Sequence, residues 1–331
     1  MLKKLLLILI LIVFIMLLIL ASTMAKANSY PLDIVQQNFK AQSDGLALDG
    51  YILRNRHITK PQPIIVFVVG SGVGSTMANY KRTTEFFFDN QLLEQGFAIA
   101  YFDKRGLGAS EGVWYTTTFE QRALDARNVA LHIRDYDFVD PERIFIVGHS
   151  QGGWIVQIAL AEYPEIFAGG ISMAGPTFSV RKQMINDAAS KIACEDGLDE
   201  IAAFKKASRK VQRDLFFISL VGWKGNLRQL NLIKDFDPES YLKSINKPLL
   251  MLFGENDPLV SVRLSLEALD RIFSGNLPQN FEYFIGAGEE HSFKIAPKCF
   301  QGKWSELAFS ESTRQKISEW LNVQASINLK H

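Results

Sequence analysis

Apolar residues fall into two alternating rhythms along the chain. Short, mostly apolar runs occupy 63–69 (PIIVFVV), 97–102, 143–147, 167–173 and 248–253, and a last one covers 281–285. Runs of this length read as strands buried on both faces. Upstream, 33–41 and 46–53 read as two strands joined by the polar turn Gln42-Ser43-Asp44-Gly45. Between the runs the spacing turns helical. Residues 80–95 predict a helix ending at Gly96. Thr117 with Glu120 reads as a capping box for a helix to about 136, and its stripe Phe119, Ala123, Ala126, Ala130 and Ile133 lies on one face. Further helices are expected over 152–163, over 261–273 with Ser261 as cap, and over 310–323 with Ser310 as cap. Eight strands alternating with helices imply an α/β architecture: a mostly parallel sheet covered on both faces.

One stretch breaks this rhythm. Residues 177–246 separate the sixth and seventh strands, far more than a crossover needs. They look helical, 192–220 especially, and read as a cap inserted over the C-terminal edge of the sheet. The cap divides the core into 28–176 and 247–331. Within it, Lys205, Lys206, Arg209, Lys210 and Arg213 form a basic run. That run reads as a solvated helix face, with an anionic-substrate patch as the alternative.

The N-terminus is the local extreme. Lys3 and Lys4 precede an unbroken apolar run over 5–21, and Ala25-Lys26-Ala27 follows. A basic start, an apolar middle and an A-x-A site make 1–27 a secretory signal peptide, cleaved before Asn28. The alternative is an uncleaved anchor, since 5–25 can cross a bilayer. Either way the remainder is expected to be exported, to the periplasm or beyond. Removing Lys3, Lys4 and Lys26 takes the net charge from +1 to −2. Neither value suits a nucleic-acid binder, which needs a basic surface. The two cysteines, Cys194 and Cys299, form no CxxC pair, and the chain has no HExxH, so no metal site is expected. Both cysteines fall in regions expected over one sheet edge. A clamping disulfide and two free thiols are both open readings.

Gly148-His149-Ser150-Gln151-Gly152 fits G-x-S-x-G and sits between a predicted strand and a predicted helix, the context this motif needs. Ser150 is therefore the expected nucleophile. A serine hydroxyl needs a base, and the base needs an orienter. Of five histidines, His291 follows the last strand, where a Ser…Asp…His order places the base. His149 adjoins the nucleophile but should point away from it. Asp257, after the 248–253 strand, is the favoured orienter, with Glu255 second. Oxyanion donors are expected from the backbone of Gln151 and from Ser71, or failing that Gly72, in the loop after 63–69. The glycines of that loop lack the third glycine of a dinucleotide fingerprint, and no Walker lysine follows.

Four segments together resemble the α/β-hydrolases, in particular bacterial serine esterases and acyl hydrolases near the dienelactone-hydrolase and serine-aminopeptidase branches. They are Gly70-Ser71-Gly72, Asp103-Lys104-Arg105-Gly106-Leu107-Gly108-Ala109-Ser110, Gly148 to Gly153, and Gly254-Glu255-Asn256-Asp257. The resemblance spans about 33–323 and is weak across the cap. It implies a Ser150–Asp257–His291 triad, no cofactor, and a small acyl ester as substrate. Membrane contact is expected only through an uncleaved N-terminal segment. It also implies that Asp103 and Arg105 are structural. Many relatives carry His-Gly where this chain has Val69-Gly70. A peptidase or thioesterase of the same fold, and a non-catalytic binding protein on this scaffold, are the competing readings. The aromatic pair Trp114-Tyr115 either lines an acyl pocket or packs the cap onto the core.

Overall fold

The computed structural model describes residues 32–327. The expected leader and its cleavage site lie outside the described residues. The chain begins with β1 (Ile34–Ser43) and β2 (Leu46–Asn55). Asp44 and Gly45 between them both take positive φ, 49° and 76°, as a tight two-residue hairpin turn requires. Next comes β3 (Gln62–Val68), and then α1 (Met77–Thr84), which passes through a π-helical turn at Glu85–Asp89 into α2 (Asn90–Glu94). The sequence predicts one uninterrupted helix here. The wider turn lets Phe87 and Phe88, adjacent in sequence, both be fully buried.

β4 (Ala98–Phe102) is followed by α3 (Phe119–Ile133) and β5 (Val139–His149). The capping box of α3 lies one residue later than the spacing suggests. Thr118 accepts from the Gln121 amide, and the Gln121 side chain accepts from the Thr118 amide. Thr117 instead donates its hydroxyl to the Val113 carbonyl at 3.1 Å, which removes it from the cap position. α4 (Gln151–Glu162) and β6 (Gly169–Met173) complete the first half.

Four helices then intervene: α5 (Val180–Asp196), α6 (Glu200–Val221), α7 (Gly225–Ile233) and α8 (Glu239–Ser244). Within the helical stretch expected over 192–220, α5 ends at Gly197, which is left-handed with φ 66°, and Asp199 caps the start of α6. β7 (Leu249–Gly254), α9 (Val262–Phe273), β8 (Phe281–Gly286) and α10 (Glu311–Ile327) close the chain.

The eight strands lie in the order β1-β2-β4-β3-β5-β6-β7-β8. β2 runs antiparallel to both neighbours, and the other pairings are parallel. The continuous apolar runs now have a cause. In β3, Ile64, Val66 and Val68 pack into one core, while Ile65, Phe67 and the following Val69 pack into the other. Successive strand residues face opposite ways, so a sheet with helices on both faces needs apolar residues at every position.

α5 and α6 bury Ile185 and Ala189 against Ala203, Ala207, Val211 and Leu215. The pair is tied down at three points. The Asn186 amide donates to the carbonyls of Pro258 and Leu259 at 3.2 and 3.0 Å. Arg263 pairs with Glu200. Cys194 and Cys299 are joined in a disulfide with Cα atoms 5.4 Å apart, across 105 residues of chain. Closing so long a loop is expected to stabilise by about 4–5 kcal/mol through the unfolded chain. Urea unfolding with and without reductant measures it: the midpoint should fall on reduction, and an unmoved midpoint contradicts a stabilising clamp.

Candidate active site

Ser150 stands where β5 turns into α4, with φ 57° and ψ −120°, a region L-residues rarely adopt. Two packing constraints enforce the turn. A Cβ on Gly148 would lie 2.2 Å from the Gly152 carbonyl oxygen, and one on Gly152 would lie 2.4 Å from that of Val68. Only glycine lets the helix start this close to the sheet. The Ser150 amide donates to the Met173 carbonyl at 2.7 Å, which pins the bend to β6.

His291 lies in the loop after β8, and its Nε2 is 2.9 Å from Ser150 Oγ. Its Nδ1 is 2.8 Å from Asp257 Oδ2. Asp257 follows β7, is almost fully buried, and accepts through Oδ1 from the amides of Leu259 and Val260 at 2.7 and 2.9 Å. Those bonds fix which oxygen faces the imidazole. Glu255, the alternative orienter, is instead exposed and accepts from the Gly288 amide at 2.8 Å. Burial alone would disfavour the His291 imidazolium. The charge of Asp257 and its hydrogen bond outweigh burial, and the pKa rises above the ordinary imidazole value.

The loop after β3 passes directly beside Ser150. A Cβ on Gly70 would stand 3.4 Å from Ser150 Cβ. Two buried basic side chains hold its carbonyls. Arg122 of α3 donates to the Val69 carbonyl at 2.6 Å and to Gln151 Oε1 at 2.7 Å, and Lys104 donates to the Gly70 carbonyl at 2.8 Å. The Gln151 amide is the first of α4 and so has no acceptor within the helix. Burial, reinforced by Arg122, pushes the Lys104 ammonium down to about 6 despite neighbouring Asp103.

Asp103 and Arg105 serve the scaffold. Asp103 accepts from the Met77 amide at 2.7 Å, and Arg105 pairs with Asp125 and Asp44 at 2.6 and 2.7 Å. Trp114 and Tyr115 lie in a short turn against α7, so they contact the cap.

His149 does point away from Ser150, but it is not idle. Its Nε2 lies 2.8 Å from the carbonyl of His291, and its Nδ1 lies 2.8 Å from Tyr80 Oη. A carbonyl only accepts, so Nε2 carries the proton and Nδ1 accepts from the Tyr80 hydroxyl. That hydroxyl in turn accepts from the Gly70 amide at 3.1 Å. One relay therefore joins the Gly70 loop to the backbone of His291. Burial, and then repulsion from His291, hold the His149 pKa down at about 4, which keeps it neutral.

An eight-stranded sheet in this order, with a serine on the strained turn after its fifth strand, decides the fold. The chain has the α/β-hydrolase fold. A family model described as "Serine aminopeptidase, S33" matches residues 59–215. An esterase from Pyrococcus furiosus superposes with a TM-score of 0.59 at 20% identity, covering 90% of this chain and 98% of that one. Est1E from Butyrivibrio proteoclasticus, solved with ferulic acid bound, gives 0.54 at 18% identity, covering 87% and 99%. Dipeptidyl peptidase 8 of Mus musculus is 27% identical over 124 residues, 36% of this chain and 14% of that peptidase.

In this α/β-hydrolase fold, position along the chain pointed to Ser150, Asp257 and His291 and missed Lys104, Arg122, Tyr80 and the side chain of His149. One signal was available. Arg122 sits three residues after Phe119, a charged residue on the inward stripe of α3. Breaking the relay is expected to show in stability. Tyr80→Phe leaves His149 Nδ1 without a donor and should lower the unfolding free energy by about 1–3 kcal/mol. Chemical denaturation measures this, and a midpoint equal to wild type contradicts a relay that holds the two loops together.

Proposed function

We propose that the chain is a serine hydrolase that cleaves a carboxylic ester through an acyl-enzyme. The carrying observation is the continuous line of two hydrogen bonds, 2.9 Å from Ser150 Oγ to His291 Nε2 and 2.8 Å from His291 Nδ1 to Asp257. Ser150 Oγ attacks the acyl carbonyl while His291 Nε2 takes its proton, and Asp257 holds the imidazole in the tautomer that can accept it. The amides of Gln151 and Ser71, with Gly72 as the alternative second donor, receive the oxyanion. His291 then gives the proton to the departing alcohol. A water, deprotonated by His291, attacks the acyl-enzyme; collapse of that adduct releases the acid and returns the proton to Ser150. The cycle uses no metal or organic cofactor.

The esterases that share the fold support an ester as substrate. The peptidase reading has its own support. The matching family model is described as a serine aminopeptidase, and Asp187 of α5 lies close enough to His291 to raise its proton affinity. A carboxylate there would suit a substrate amine. We further propose that the mature chain is exported, its 1–27 segment acting as a signal peptide or as an anchor.

Ser150→Ala is expected to lower kcat by on the order of 10⁶ if the three residues act as a unit. Turnover on a panel of aryl esters and aminoacyl amides measures this and ranks the two leaving groups. Full activity in the variant overturns the assignment. The pH profile is a second test. His291 must be neutral to act as base, and its pKa is raised from 6.5. Activity should therefore be lost on acidification at a pH above that ordinary value. An acid limb of kcat/KM centred below it contradicts the role given to Asp257.

A further inference from the structure

The long cap helix α6 carries an outer face that the catalytic reading leaves unused. Its buried stripe is Ala203, Ala207, Val211 and Leu215. At about 100° per residue the opposite arc carries Lys205, Lys206, Arg209, Lys210 and Arg213, and beyond them Phe216, Phe217, Leu220 and Val221. All nine are exposed. Phe216 and Leu220 each keep 63% of their surface in solvent, and Trp223, just past the helix, keeps 66%. Leu227 and Leu232 of α7 extend the apolar area. A cluster of this size on a solvated surface marks a contact.

We propose that this face docks on an anionic lipid bilayer, and that the substrate is an acyl ester drawn from that bilayer. The first clause rests on the surface alone; the second rests on the serine-hydrolase reading. Aromatic and aliphatic side chains in line with a cationic strip, and a tryptophan at the end of the helix, have the composition of an interfacial helix. Lys205 and Arg209 have no ion-pair partner among the described residues, so their charge is free for lipid phosphates. Retained as an anchor, the basic start and apolar run over 5–21 would hold the chain at a membrane. A second copy is the alternative occupant, and the oligomeric state distinguishes it.

The face also lies close to the site. α7 packs on the Trp114–Thr116 turn, and the Trp114 ring is 5.9 Å from the Lys104 ammonium that holds the Gly70 loop. Val73 of that loop and Val113 are both exposed and apolar.

Tryptophan emission of the full chain, with vesicles of brominated phosphatidylcholine and phosphatidylglycerol, reads the contact locally. Quenching in wild type should exceed that in Trp223→Phe, the difference being the Trp223 contribution whatever the N-terminal segment does. Lys205→Gln with Arg209→Gln should weaken the Trp223 contact roughly 25-fold, at about fivefold per charge. Equal quenching in wild type and Trp223→Phe overturns docking. So does a lipid-free dimer in sedimentation velocity that Phe217→Glu dissociates, which assigns the face to a second copy. Turnover of a soluble aryl ester by Trp223→Phe, expected unchanged, reports on Ser150 separately. Docking lost with that turnover intact therefore counts against this inference alone.

Discussion

The backbone of Ser150 is held in a conformation that costs of order 1–3 kcal/mol, and the arrangement around it exists to keep it there. β5 lies inside the sheet between β3 and β6, so its C-terminal end is clasped on both sides. The bond from the Ser150 amide to Met173 fixes one flank. The close approach of Gly152 to the Val68 carbonyl fixes the other. With the turn clasped in this way, the hydroxyl projects above the sheet edge and the first amide of α4 is left free beside it. The loops after β3, β7 and β8 all converge on that point because parallel strands end at the same edge.

Holding those loops falls to polar groups that are buried and therefore strong. Lys104 and Arg122 grip consecutive carbonyls, Gly70 and Val69, from beneath. Two cations in so small a volume repel each other, and the depressed Lys104 pKa records that cost together with its burial. The relay through Tyr80 and His149 ties the same loop to the carbonyl of His291. The Gly70 loop and the backbone of His291 are thus linked through the Tyr80 hydroxyl and a neutral His149. In place of the His-Gly of many relatives, the chain has Val69-Gly70 with a lysine and an arginine behind it.

Much of this was legible in the sequence because it depends on short-range pattern. Strands buried on both faces announce themselves as continuous apolar runs. The Ser, Asp and His stand out by their order after successive strands, and the structure puts all three within hydrogen-bond reach. What escaped depends on partners distant in the chain. Nothing in His149 itself says that its imidazole meets a carbonyl 142 residues away. The π-helical turn answers the need to bury both Phe87 and Phe88, and Thr117 lost the cap to Thr118 because Val113 claims its hydroxyl. The cysteine pairing turned on the fold bringing the two residues together. The basic run in the cap reads as a solvated face until the helix shows which apolar residues share its arc.

The account stands or falls on Ser150 as the nucleophile. Peptide mass spectrometry after treatment with a fluorophosphonate tests this directly. One adduct is expected, on the peptide containing Ser150, and it should vanish in folded His291→Ala protein. A folded wild-type chain that takes no label, or takes it on another serine, contradicts the account.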